Sequence, residues 1–440
     1  MPAGGATRLA SPRVIDVLRA HAASHVNRSG GGAPIHVRST LAQLTACRTA
    51  ALGGHAWECA ACGETRVAYN SCRNRFCPTC GGGKRAAWLD KLRSRILPVT
   101  HFHLVFTVPH ELSRLMLANR SALYGLLFRA AWETLHTIAA DPQHLGAEVG
   151  AVMALHTWGQ NMEHHPHVHA VVPGGGLSPD AARWITPRGA DGRYLLPVQV
   201  LSRLFRGKFL AGVKNLHLAG ELTLGGPLAE LADRGRFESF LSDFYKQEWV
   251  VYSQPPAHPR QGPDGVLKYL ARYVAGAAIS DARLISHSTA SDGSVTFRVK
   301  NYRQGRKRQT LTLSGVEFTR RFALHILPPG FPRVRYYGLL SHRGGEKRLP
   351  RCRELLQASG PRVGDLASTS PSSDVPADPP TTAANVAGGL TTATAALEQP
   401  RCPRCDQPTW FAIAERSRPR LWDVLQRSGF APAVVAKDTS

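Results

Sequence analysis

Cys59-Ala-Ala-Cys62 and Cys77-Pro-Thr-Cys80 constrain this chain more than any other segments do. Each CxxC knuckle turns two thiolates toward one cation. Two knuckles with fourteen residues between them complete a tetrahedral shell. Soft thiolates in a site with no redox demand suit Zn²⁺. Nothing nearby offers an open coordination position beside a general base, so the zinc reads as structural. Cys72 is a possible extra ligand, and Cys47 and His55 lie just upstream. One zinc with spare thiols and a two-zinc cluster both fit this spacing. A further pair, Cys402-Pro-Arg-Cys405, stands alone as half a site with no second pair near it in sequence, and Cys352 has no evident role.

Residues 1–30 lack the continuous apolar core of a secretory signal. A cytoplasmic, reducing location is therefore expected, where clustered cysteines favour zinc over disulfides. No stretch is long and apolar enough to span a bilayer, and no membrane partner is expected. Lys and Arg number 54 against 31 Asp and Glu, a formal charge of +23. Such a field attracts polyanions, because each phosphate neutralised by a basic side chain releases condensed counterions. With Arg73, Arg75, Lys84 and Arg85 around the cysteines, DNA contact is the expected task of that module. The 440 residues can hold two or three domains, and a hydrophobic share of 43% does not limit burial.

Val14, Val17 and Leu18 mark one side of a helix over residues 11–24. Thr40-Leu-Ala-Gln43 has the form of a capping box and puts the start of a second helix at Thr40. A basic helical segment runs over 84–95, a core strand over 101–109 and a helical stretch over 111–140. Residues 151–158 and 168–173 read as short strands joined by a polar turn, the second ended by Gly174-Gly-Gly176. Residues 183–198 suggest a small hairpin, 200–252 are mostly helical, and a helix starts near Gly265. Residues 294–313 alternate as two strands about a basic turn. From Gln357 to Pro400 the composition is Ser, Thr, Ala, Pro and Gly, the mark of a linker or disordered tail.

In His164-His-Pro-His-Val-His169, residues 167 and 169 share one strand face, about 6.5 Å apart along the backbone, while Val168 points into the core. Both imidazoles can reach one divalent ion, although an isolated His-x-His is more often packing or surface than a metal site. A third ligand should come from a neighbouring element, with Gln160 the first candidate and Glu163 the second. His164 and His165 read as turn residues. Such an ion would polarise a phosphate oxygen.

Lys268-Tyr-Leu-Ala-Arg-Tyr273 puts Tyr269 and Tyr273 one helical turn apart on one face. Alone, the pattern is more often packing than catalysis. A tyrosine hydroxyl ionises near pH ~10, and Lys268, Arg272 and a nearby cation would each favour the phenolate. Residues 298–308 carry six basic residues and no acid, Arg303, Arg306, Lys307 and Arg308 among them, interleaved with Tyr302. That composition suits a backbone groove with a stacking platform for an unpaired base.

Taken together, these segments resemble one family. Tyr69-Asn-Ser-Cys-Arg-Asn-Arg-Phe-Cys-Pro-Thr-Cys80, His156-Thr-Trp-Gly-Gln160 running into HPHVHAVVPGGG, the YLARY helix, and Arg321-Phe-Ala-Leu-His-Ile-Leu-Pro-Pro-Gly-Phe331 are similar, in this order, to rolling-circle insertion-sequence transposases of family ninety-one. That family is part of the HUH endonuclease superfamily. The resemblance spans roughly residues 11–345, and one departure is Phe76, where many relatives carry histidine. It implies an α+β fold with a central antiparallel, ferredoxin-like HUH sheet flanked by helices. A small zinc domain precedes the sheet and a disordered tail follows it. It further implies His167 and His169 as ligands of Mg²⁺ or Mn²⁺, Tyr269 and Tyr273 as paired nucleophiles, and single-stranded or hairpin element ends as the DNA.

The expected division is 1–98 for the zinc module, 99–345 for the catalytic domain and 346–440 for the tail. A plasmid replication initiator or relaxase would use the same chemistry. A non-catalytic zinc-dependent DNA-binding regulator would explain charge and cysteines only.

Overall fold

The computed structural model describes residues 11–28, 32–80, 82–187, 195–254, 278–288, 293–301, 307–358, 400–421 and 423–424. In chain order, the first part holds helices α1 (Val14–Arg28) and α2 (Ile35–Thr45), strands β1 (Gly54–Cys59) and β2 (Thr65–Tyr69), and helix α3 (Gly82–Arg93). Strand β3 (His101–Thr107), helices α4 (Ser113–Ala118) and α5 (Arg120–Ala140), and strands β4 (Gly150–Trp158) and β5 (His164–Pro173) follow. After them come β6 (Gly176–Leu177), β7 (Trp184–Ile185), α6 (Val198–Leu218), α7 (Arg234–Lys246) and β8 (Val251–Gln254). The remainder holds β9 (Leu284–His287), β10 (Ser294–Asn301), β11 (Lys307–Ser314), α8 (Gly315–Leu324), β12 (Val334–Gly338), α9 (His342–Ala358) and β13 (Trp410–Arg416). The chain is α+β, and every paired strand is antiparallel. Among the described residues, no helix is long and apolar enough to cross a membrane.

The chain forms two compact units, and the first gathers residues of 1–83, 279–326 and 372–440. Its helix α1 buries Val14, Ile15, Val17 and Leu18, the apolar side legible in the sequence, and α8 buries Phe318 and Phe322. Phe318 meets Phe297 of β10 edge to face. Helix α2 starts earlier than its capping-box pattern implies. Pro34 is the N-cap, Thr40 is buried inside the helix, and the Gln43 amide oxygen accepts from Asn74 Nδ2 at 3.1 Å. The stripe Val37, Leu41, Leu44 explains this, because its helical spacing begins upstream of Thr40. Two three-stranded sheets complete the unit, β13-β1-β2 and β11-β10-β9. Beyond the stretch read as a linker over 357–400, the chain forms a strand: β13 pairs with β1, whereas the sequence implied a disordered tail holding only a lone CxxC.

The second unit, from 84–278 and 327–371, is built on a five-stranded sheet of order β12-β4-β5-β3-β8, which makes β5 the middle strand. Period-two alternation gives the sheet two different faces. Phe106 of β3 lies opposite Val168 of β5, and its ring meets Phe205 of α6 at 5.2 Å. Helices α5 and α6 cover this face, and Val168 is fully buried. On the opposite face Val152, Ala154 and Val171 join Leu92 of α3 and Leu349 and Cys352 of α9 in an apolar cluster. Cys352 is therefore a core residue. The helical stretch over 111–140 holds two helices, separated at the buried Asn119, whose side chain bonds Leu115 O and both backbone groups of Thr223. Past β5 the chain turns at Gly175, where φ is +136° and an added Cβ would lie 2.5 Å from Ile185 O, so only glycine fits there.

Candidate functional site

His156, His167 and His169 come together on the face opposite Val168, with one ligand atom from each lying within 4.8 Å of the others. The ring centroids are 5.5 Å (156–167), 4.2 Å (156–169) and 4.8 Å (167–169) apart. Cross-strand register delivers the third ring. His156 lies opposite His167, and the pairing passes through a bulge from Trp158↔His164 to His156↔His167. That interval spans two residues on β4 and three on β5, so an unbulged strand would set His156 opposite Pro166 instead. Gln160, the sequence candidate for third ligand, lies in the turn beyond β4, and Glu163 is exposed next to it.

The His167 and His169 imidazoles are held neutral and oriented. His167 Nδ1–H donates to His165 O at 2.7 Å, which leaves the lone pair on Nε2. His169 Nδ1 lies 2.7 Å from Nε2 of the buried His103, whose ring is stacked parallel at 4.9 Å. Burial, reinforced by His165 and His103, pushes the His167 pKa down to about 3. Burial, and then His156, His167, His103 and Arg333, pushes His169 well below the ordinary imidazole range. Arg333 sits over the Trp158 ring at 4.9 Å, and Trp158 stacks on His156 at 4.5 Å. Three clustered imidazoles, of which His167 and His169 are kept neutral by burial, are a donor set for a divalent transition ion. His164, expected in a turn, is instead a buried strand residue, 2.5 Å from Ser113 Oγ and 2.6 Å from Tyr124 OH.

Eight of the nine cysteines sort into two groups of four: Cys47, Cys72, Cys77 and Cys80, and Cys59, Cys62, Cys402 and Cys405. Sequence spacing sets Cys59, Cys62, Cys77 and Cys80 around one zinc, with Cys72 as a possible extra ligand, and the structure does not bring those four together. The reason is the β1–β2 hairpin. Its tip carries Cys59 and Cys62, while its base, where Asn70 N–H bonds Gly53 O and Arg48 N–H bonds Asn70 O, adjoins Cys47 and Cys72. Five paired residues separate tip from base by roughly 15 Å, too far for one ion. In the base group Cys72 and Cys80 sulfurs are 3.5 Å apart and Cys47 and Cys77 sulfurs 3.6 Å. Sulfurs around a tetrahedral zinc at ~2.3 Å would be roughly 3.8 Å apart. Cys72 N–H also donates to Cys47 Sγ.

A family model described as "Putative transposase" matches residues 150–347, and one described as "Transposase zinc-binding domain" matches 17–108. A "Putative transposase y4qJ" of Sinorhizobium fredii is 46% identical over 80% of this chain and 85% of its own length. The chain belongs to the IS91-type insertion-sequence transposases. The "Transposase for insertion sequence element IS801" of Pseudomonas savastanoi pv. phaseolicola is 28% identical over 77% of this transposase and 78% of its own length. No solved structure matches. All four sulfurs of the base group fall inside the zinc-binding match, and their spacing fits the structural zinc of that domain.

Among the other residues singled out in the sequence of this transposase, Arg73 and Arg75 are exposed on the loop between Cys72 and Cys77, Arg75 lying over the Phe76 ring. Lys84 and Arg85 are on helix α3. Lys307 and Arg308 are exposed on β11, directly opposite Asn301 and Lys300. Tyr269, Tyr273, Lys268, Arg272, Arg303 and Arg306 lie outside the described residues. Sequence reading missed His156, His103 and Arg333. His156 was legible in principle, since it stands at the head of the motif running into the histidine strand and hairpin pairing brings it back.

Proposed function

We propose that this transposase nicks and rejoins single-stranded DNA at insertion-sequence ends through 5′-phosphotyrosine intermediates, the chemistry of rolling-circle transposition. The observation that carries the reading is the three-imidazole cluster on the middle strand of an antiparallel sheet. It is the setting that a ferredoxin-like HUH endonuclease fold calls for. His167, His169 and His156 would hold a divalent ion, with His156 preferred to Gln160 because it shares their face. A bound ion there would supply Lewis-acid polarisation of a phosphate oxygen. The all-nitrogen donor set favours Mn²⁺ over Mg²⁺, which prefers hard oxygen ligands.

Tyr269 and Tyr273 are the proposed nucleophiles, and Lys268 and Arg272 stabilise the phenolate and hold the strand. The phenolate oxygen attacks phosphorus, the bond to the 3′-oxygen breaks, and that oxygen leaves as a 3′-OH. The phosphodiester energy is kept in the tyrosine link, so a 3′-OH rejoins the strand by the reverse displacement. Two tyrosines permit two transfers before either strand is released. The zinc module and the basic strands would bind the DNA backbone.

The test mixes protein, Mn²⁺ or Mg²⁺, and a labelled single strand bearing the element's end. A covalent protein–DNA band is expected. It should disappear in Tyr269→Phe/Tyr273→Phe, in His167→Ala and in His156→Ala, and survive in Gln160→Ala. A double tyrosine variant that still cleaves rejects the nucleophiles, and loss of the band in Gln160→Ala but not in His156→Ala rejects the ligand choice.

A further inference from the structure

Cys402 and Cys405 stand hundreds of residues from Cys59 and Cys62, yet their four sulfurs form one group. The two knuckles share two backbone hydrogen bonds and a left-handed residue. In the first, Cys59 N–H donates to Glu64 O at 2.9 Å, Gly63 N–H donates to Cys59 O at 2.8 Å, and Gly63 has φ +72°. In the second, Cys402 N–H donates to Gln407 O at 3.0 Å, Asp406 N–H donates to Cys402 O at 2.8 Å, and Asp406 has φ +57°. Glycine is unstrained in that left-handed region, and aspartate is one of the few other residues that visit it. Each turn therefore presents both of its sulfurs on one side.

The sulfurs meet in pairs, Cys59 with Cys405 at 3.6 Å and Cys62 with Cys402 at 3.7 Å. Those separations are close to the roughly 3.8 Å of a tetrahedral zinc–thiolate site and far above the ~2.05 Å of a disulfide. The backbone holds the knuckles in register, since β13 pairs with β1 from Gly54↔Arg416 to Cys59↔Trp410 and Ala60 N–H donates to Thr409 O at 2.8 Å. Thr409 Oγ1 lies 3.5 Å from Cys59 Sγ, a further hydrogen bond to a ligand. Burial does not explain the pairing. Six of the seven residues of β13 are exposed, as are all five of β2. A three-stranded sheet with so little apolar burial is marginal by itself.

The geometry points to a second structural zinc site, formed by Cys59, Cys62, Cys402 and Cys405, that clamps the C-terminal segment onto the β1–β2 hairpin. Metal binding supplies the folding free energy that this thin sheet lacks. Four thiolates close the shell and leave no position for a reacting ligand. The inference is independent of the strand-transfer chemistry proposed above.

Zinc is counted on the full chain, purified under reducing conditions, by native mass spectrometry and elemental analysis. Two zinc ions per chain are expected, falling to one in Cys402→Ser/Cys405→Ser. In the wild-type chain, Cys402 and Cys405 should resist iodoacetamide until a chelator strips the metal, then react together with Cys59 and Cys62. That labelling decides the matter if the variant fails to fold. A single zinc in the wild-type chain, two zinc ions retained by the variant, iron instead of zinc, or Cys402 and Cys405 that alkylate in the zinc-loaded chain overturns the site.

Discussion

His169 commits Nδ1 to His103 and so turns Nε2 toward the cluster. His103 itself is not among the three grouped imidazoles, and its influence runs through the orientation and tautomer of a ligand. His103→Ala should weaken Mn²⁺ binding by about 10- to 100-fold, the usual cost of losing such a partner. His103→Gln, which restores a hydrogen-bonding side chain, should recover part of it. Titration of Mn²⁺ followed by electron paramagnetic resonance measures this. Equal affinity in wild type and His103→Ala would mean that His103 does not orient the ligand.

At the scale of elements, one bulge decides how the β4–β5 hairpin is used, because it brings His156 level with His167. Burial in that hairpin also sets a pH dependence. His167 and His169 have folded pKa values below the imidazole norm, so the unfolded chain binds more protons between the two values. Their contribution to stability is thus fully present above about pH 6.5 and is lost as pH falls, for His167 toward about 3. The urea midpoint of the metal-free chain should fall across that window, and less steeply in His167→Gln/His169→Gln. An identical slope in both proteins would contradict the assignment.

The same elements show what a sequence carries. The alternation of His167, Val168 and His169 was legible, because period two leaves one strand only one pair of faces. Cys77 and Cys80 were legible as candidate zinc ligands, with Cys72 as a possible extra one. Their partner Cys47, and the distance between Cys59 and Cys77, were not, because both depend on a hairpin whose length sets tip apart from base. Cys402 and Cys405 looked solitary because strand pairing, not sequence proximity, brings them to Cys59. The capping-box pattern at Thr40 misled because the apolar stripe, which outweighs a cap, begins upstream.

At the scale of the molecule, the charge of +23 is the widest-ranging feature. Part of it is concentrated where β10 and β11 set Lys300 opposite Arg308, a like-charged pair that costs stability unless an anion lies near. Affinity for a single strand should therefore fall linearly on a log–log plot against salt. Lys307→Ala/Arg308→Ala should reduce the slope by about 0.7 for each phosphate that the variant no longer neutralises. Fluorescence anisotropy at several salt concentrations reads that slope, and an unchanged value places the DNA elsewhere.

Covalent strand transfer through Tyr269 and Tyr273, aided by a histidine-held ion, is the chemistry proposed for this transposase. It is tested most directly by digesting the Mn²⁺-dependent protein–DNA adduct and locating the nucleotide by mass spectrometry. A 5′-phosphate ester on Tyr269 or Tyr273, with a free 3′-OH on the released strand, is expected. A nucleotide on any other residue, or a 3′-phosphate link, would contradict it.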